Sequence, residues 1–124
     1  MTDWTSLAEQ YLAVWNETDD TKRRVLAEEL FAPTCRLTDP MVDVEGTSAI
    51  DAVIGQVQQQ FTGHALRLAG AVDGHHDQVR FGWDLVPTGS TGSEAVVVGF
   101  DVLLIAPDGK LDRVLGFLDR APGV

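Results

Sequence analysis

The chain has one cysteine, one tyrosine and only 9 basic residues among 124. A single cysteine, Cys35, excludes an internal disulfide. It sits in an apolar–polar alternation and reads as a small buried hydrophobe. Nine Lys and Arg against 19 Asp and Glu give a formal net charge of −10. Nucleic acid and anionic membrane both demand clustered cations, so neither is expected as a partner. The basic residues are scattered, apart from Lys22-Arg23-Arg24, which reads as the solvated face of a helix. No apolar run reaches bilayer length, and MTDWTSLAEQ at the N-terminus lacks a signal-peptide pattern. A cytoplasmic location is expected on that basis. There is no Gly-rich phosphate loop, no poised Cys-His pair and no serine elbow. His75-His76 with Asp73 and Asp77 fall in one predicted turn, and no further soft ligand stands at a matching spacing. No metal and no cofactor are therefore expected. With no repeat or low-complexity linker and 44% apolar residues, the whole chain, 1–124, reads as one domain with one core.

What the chain does have is a long C-terminal hairpin, EAVVVGFDVLLIAPDGKLDRVLGFLD, from Glu94 to Asp119. Asp108-Gly109 predicts a two-residue turn. Pro107 then faces Lys110, Leu103 faces Val114, Asp101 faces Gly116 and Gly99 faces Leu118. Alternation puts Val97, Asp101, Leu103, Ile105, Val114 and Leu118 on one face. Val96, Val98, Phe100, Val102, Leu104, Leu115 and Phe117 make the other face apolar too. Such a pair must be covered on both sides. Asp101 is then a carboxyl in an apolar field, costly as an anion. Two readings stand: a neutral acid aimed into a cavity, or a solvated acid beside a bulge at Gly99.

Upstream, Trp4, Leu7, Ala8, Tyr11, Leu12 and Trp15 recur at helical spacing over 4–16, with Thr2 or Asp3 to cap. Tyr11, the only tyrosine in the sequence, lies within the apolar stripe and reads as a core aromatic with its hydroxyl satisfied by a backbone group; Trp15 reads as wall or core. A short helix from Thr21 ends at Pro33. A strand, Cys35 to Asp39, stops at Pro40, so Asp39 is held extended at a strand end or forms an Asp-Pro turn. A short extended piece runs from Val42 to Glu45. A third helix opens at Gly46-Thr47-Ser48, with Ser48 and Asp51 as a capping box, and ends near Gly63. Ile50, Val53, Ile54, Val57 and Phe61 form its apolar face. Strands follow over 64–72 and from Val79 to Leu85, joined by the turn 73–77. Val79, Phe81, Trp83 and Leu85 share a face. PTGSTGS, 87–93, is a loose loop, and a short polar tail follows Asp119. His64 is placed either at the surface or at a cavity mouth.

This order is α+β, three helices on one curved antiparallel sheet. The phrases YLAVWNETD, LFAPTCRLTDP, EGTSAIDAVI and GFDVLLIAPDGKLDRVLGFLD resemble the nuclear transport factor two-like superfamily over nearly the whole chain. That cone-shaped fold includes SnoaL-like polyketide cyclases and ketosteroid isomerases. The motif is most similar to bacterial Δ5-3-ketosteroid isomerase: Tyr11 in helix one, Asp39 in an Asp-Pro, Asp101 on the penultimate strand. The resemblance implies enolisation. Asp39 would move a proton, while Tyr11 and protonated Asp101 donate hydrogen bonds to the carbonyl oxygen, the acid being kept neutral by an apolar site. Trp15, Val53, Ile54, Val57, Phe61, Trp83 and Leu103 would wall the cavity. Further oxyanion tyrosines, present in some isomerases, are missing. The partner implied is an apolar small molecule, steroid- or polyketide-like. The alternatives are a SnoaL-like polyketide cyclase and a non-catalytic carrier of an apolar ligand. The second apolar hairpin face predicts a homodimer.

Overall fold

The structure, a computed structural model, describes residues 2–92 and 94–122. Ser93 of the predicted loop, Gly123 and Val124 of the predicted tail, and Met1 lie outside the described residues. Three helices form where the periodicity places them. Helix α1 (Trp4–Asn16) starts at Asp3, whose side chain accepts the Ser6 N–H at 3.0 Å. That satisfies one of the donors a helix start leaves unpaired. Asp19 does the same for Lys22 at 2.9 Å, so α2 (Asp20–Leu30) begins one residue before Thr21.

Arg23 of α2 overturns one expectation. It is 5% exposed rather than solvated. Its guanidinium donates from Nε to Asp51 Oδ1 and from Nη1 to Gln58 Oε1, each at 2.8 Å. Both partners belong to α3 (Thr47–Gln60), so this one side chain ties two helices together. The capping box is therefore not formed: Asp51 turns to Arg23, and Gly46 at the cap makes no side-chain bond. An interhelix charge pair takes the acid that the local sequence offers to its own helix.

Six strands follow: β1 (Phe31–Thr38), β2 (Asp43–Glu45), β3 (His64–His75), β4 (Gln78–Pro87), β5 (Val97–Ile105) and β6 (Leu111–Arg120). Their order is β2-β1-β6-β5-β4-β3. Every pair is antiparallel except β1 with β6, which is parallel, so the sheet is mixed rather than wholly antiparallel. Strand β1 starts at Phe31, ahead of the predicted Cys35. Pro33 stays within it, at a register irregularity between Phe31 and Arg36 where no ladder donor is required. Strand β3 runs on to His75, which shrinks the predicted turn to His76-Asp77. A bulge between Ala69 and Asp73 bends this strand, with Gly70 at φ 77.

The hairpin pairs Leu103 with Val114, Asp101 with Gly116 and Gly99 with Leu118, as alternation predicts. Its turn differs from the expected two-residue loop. Gly109 N–H bonds Ala106 O at 2.9 Å and Ala106 N–H bonds Lys110 O at 2.7 Å, so the loop is Pro107-Asp108-Gly109. Only Gly109 has positive φ, 89°. This is a type I turn closed by a left-handed glycine, with proline at its favoured second position. The extra loop residue is absorbed at once by a register shift between Leu104 and Ile105, which restores the pairing beyond.

The helices pack on one face of this curved, open sheet. Between them lies the core, which includes Leu12, Phe31, Cys35, Ile50, Phe81 and Val114. The opposite face is another matter. Val98, Phe100, Val102, Leu104 and Leu115 are only half-buried, and Phe117 is exposed. No helix among the described residues is long and apolar enough to cross a membrane.

Candidate active site

The helices do not fill the concave face. Where α1 and α3 diverge from the sheet they leave a cavity of about 300 Å³. Tyr11 and Trp15 enter it from α1, Val53, Val57 and Phe61 from α3, Trp83 from β4, and Asp101 from the middle of β5. Asp39 enters from the loop after β1.

Asp101 is 6% exposed. The strand irregularity at Gly99 is present, between Val98 and Gly99, yet the acid still points inward. Burial pushes its carboxyl up to about 6; the Trp83 indole and the Tyr11 hydroxyl draw it back down, and the Asp39 charge raises it again. Tyr11 is 1% exposed. Burial first, then the Asp101 charge, holds its hydroxyl well above the ordinary tyrosine range. Its phenol is thus a fixed donor, edge-on to Phe81 and Phe31 at 5.7 and 6.3 Å between ring centres.

Asp39 does what both readings ask. Its Oδ1 accepts the Met41 and Val42 N–H groups at 2.7 and 3.0 Å, and its own N–H bonds Val42 O at 3.0 Å. That is an Asx turn built on Asp-Pro. Oδ2 takes no part in it, and the residue lines the cavity. Gly116 lies against both acids. A Cβ there would stand 3.1 Å from Asp101 Oδ1, 3.1 Å from Asp39 Cβ and 3.4 Å from Thr38 O. Both acids therefore border the space that a side chain at Gly116 would occupy.

The structure thus brings Tyr11, Asp39 and Asp101 to one cavity, with Trp15, Val53, Val57, Phe61 and Trp83 in its wall. Ile54 and Leu103 do not line it; both are fully buried in the core. On α3, Ile54 follows Ile50 by one turn and shares its core-facing ridge, whereas Val53 and Val57 form the adjacent ridge over the cavity. Leu103 lies beyond Asp101 toward the turn and pairs with fully buried Val114. Sequence reasoning missed Gly116, although the predicted register places it opposite Asp101. It also missed the mouth, where Met41, 70% exposed, stands with Ala121 and Pro122 of the supposedly polar tail.

Other candidates fall away from the cavity. His64 Nδ1 pairs with Thr62 O at 3.1 Å and its ring meets Phe61 edge-on. His75 and His76 stand exposed with their Nδ1 atoms 3.1 Å apart, and no group of three or more metal-capable side chains gathers among the described residues. Cys35 is fully buried, its thiol pushed up to about 12 by burial. It is inert packing.

Chemically, the site offers a carboxylate facing a phenol and a high-pKa acid across apolar space. A group near Asp39 can lose a proton while negative charge collects beside Tyr11 and Asp101.

No protein-family model and no curated protein matches the chain. Solved structures do. A protein from Agrobacterium tumefaciens, described provisionally as an isomerase of the SnoaL-like family, is 38% identical over 97% of this chain and 100% of its own, with a TM-score of 0.89. A protein from Jannaschia, described provisionally as a SnoaL-like polyketide cyclase, is 19% identical over 96% and 92%, with a TM-score of 0.69. A SnoaL-like protein of unknown function from Burkholderia thailandensis is 13% identical over 97% and 99%, also at 0.69. The last two likenesses concern the fold alone.

Proposed function

Because this chain belongs to the SnoaL-like family of the nuclear transport factor two-like fold, we propose that its cavity is an acid–base active site that enolises an apolar carbonyl compound. Asp39, as the anion, removes a proton from the carbon next to a carbonyl group. The C–H electron pair moves into the carbon–carbon bond, and the carbonyl π pair moves onto oxygen. Tyr11 and protonated Asp101 donate hydrogen bonds to that oxygen as its charge grows. Asp39 then returns the proton at a carbon further along the conjugated system. No atom is gained or lost, so the net change is isomerisation.

The observation that carries this reading is the placement of Asp39 and Asp101 on either side of Gly116, with Tyr11 beside Asp101, in a cavity walled mostly by apolar side chains. The family relation supports it, and the Agrobacterium protein's provisional description as an isomerase agrees with it. A volume of about 300 Å³ stands at the low end of small-molecule sites, so the ligand is compact. The second apolar sheet face supports a companion proposal: a second copy of this chain covers Val98, Phe100, Val102 and Leu115.

The test is the ultraviolet absorbance of conjugation. The protein is given one steroidal and one small β,γ-unsaturated ketone, and Asp39→Asn is run beside it. The expected result is enone formation by the native protein, reduced roughly a hundred- to ten-thousand-fold in the variant. Asn can still accept the Met41 and Val42 N–H groups, so the loop is kept. Equal rates in the two proteins would remove Asp39 from the chemistry. Tight binding of both ketones without turnover would favour a carrier.

A further inference from the structure

The end of α3 reads Gln56-Val57-Gln58-Gln59-Gln60, and its glutamines meet three different fates. Gln58 is fully committed. Its Oε1 accepts Arg23 Nη1 at 2.8 Å, and its Nε2 donates to the carbonyls of Trp15 and Glu17 at 2.9 and 2.8 Å. Gln59 is exposed and stands off the cavity. Gln56 and Gln60 are exposed too, yet both line it. Residues four apart on a helix stand one above the other, so these two amides make one short polar edge at the cavity rim. Among the described residues neither amide is tied up by a protein partner. The rest of the rim, Met41, Ala121 and Pro122, is apolar.

The edge is separate from the polar groups within. Tyr11 and Asp101 are buried, whereas the two amides meet solvent. Val53, Val57 and Trp83 belong to a wall that is mostly apolar. A molecule reaching from Asp101 to the rim thus meets polar groups at both ends and apolar surface along its sides. Charge narrows the choice further. The described lining residues include no Lys, Arg or His, and Asp39 and Asp101 are the acids among them. Gln60 closes α3 at the end where a helix is partially negative, and no basic residue stands in that last turn. An anion at the rim would find no counter-charge. A hydroxyl donates and accepts one hydrogen bond each way, and a glutamine amide offers both partners.

We propose that Gln56 and Gln60 are specificity-determining residues that select, among compact ketones, those carrying a neutral hydroxyl at the end remote from the carbonyl. The proposal rests on the reading of Tyr11, Asp39 and Asp101 as the carbonyl end and adds the substrate class to it.

Its test reads binding and needs no turnover. The probes are 2-tetralone, 6-hydroxy-2-tetralone and the 6-carboxylate of the same ketone, titrated by calorimetry. The quantity read is the ratio of two affinities in one protein, so a variant that alters both ligands alike leaves it unmoved. The native protein should bind the hydroxy ketone roughly three- to tenfold tighter than 2-tetralone, the gain of one or two net hydrogen bonds. The carboxylate should bind more weakly than 2-tetralone. Methionine matches glutamine in length and helix propensity, and Gln56→Met with Gln60→Met should erase the preference for the hydroxy ketone. Gln59→Met should keep it. In proton–nitrogen NMR the side-chain amide signals of Gln56 and Gln60, assigned by their loss in the variants, should move with the hydroxy ketone far more than with 2-tetralone. Equal affinity of the native protein for the two ketones, a preference that survives in the double variant, a carboxylate that binds tightest, or no binding of either ketone would overturn the proposal. A glutamine-dependent preference in a protein that enolises neither ketone would sink the isomerase reading and leave this selection standing.

Discussion

At the scale of single residues, Asp101 decides how the protein responds to pH. Its carboxyl, raised to about 6 by burial, titrates about two units above an ordinary aspartate. Between those two values the native chain holds a proton that the unfolded chain has lost. Stability therefore falls as pH rises from about 4 to about 6 and is flat above, a cost on the order of 3 kcal/mol at neutral pH. Asp101→Asn removes that slope. The variant should be more stable than the native protein in urea at about pH 7.5, and should lose that advantage at about pH 4. Activity follows the same group. In the proposed mechanism kcat/KM reports the free enzyme and requires Asp101 protonated, so it should fall tenfold per unit above about pH 6. An amide at 101 still donates, so Asp101→Asn should flatten that limb while lowering the plateau.

Between elements, two contacts hold the site's walls, and they differ in how readable they were. Asp51→Ala leaves the Arg23 guanidinium without its buried partner and should cost about 3 kcal/mol in urea unfolding. Asp20→Ala removes the other acid on Arg23, but Asp20 is 84% exposed on its side chain, so the loss should stay under about 1 kcal/mol. Equal losses would show that the α2–α3 tie is not the Arg23–Asp51 bond. Gly116→Ala puts a methyl group 3.1 Å from Asp101 Oδ1 and from Asp39 Cβ, and should lower kcat at least tenfold with little change in KM. Period-two alternation placed Asp101 opposite Gly116 because a buried sheet face fixes register, and the miscounted turn was absorbed by the bulge before Asp101. Arg23 was not legible in the same way. A cation between Lys22 and Arg24 looks solvated until a partner helix, far along the chain, brings an acid to it. Ile54 and Val53 likewise differ by one residue in the sequence, and only the docking angle of α3 decides which faces core and which faces cavity.

At the scale of the whole molecule, one sheet face lines the cavity and the other stands largely without cover among the described residues. Phe117 is 56% exposed and the apolar side chains around it on β5 and β6 are half-buried. A contiguous patch of this kind is uncommon on a soluble monomer. Sedimentation at micromolar concentration should give a dimer, and a monomer there would count against the second-copy proposal. The central claim, however, is that Asp39 enolises a ketone bound in the cone. Exchange of α-protons for deuterium, followed by NMR on a simple apolar ketone in heavy water, tests that directly, because it reads enolate formation whatever the natural product is. The account predicts exchange well above the buffer rate with the native protein and near that rate with Asp39→Asn. Exchange at the buffer rate with both proteins, while the ketone is bound, would contradict it.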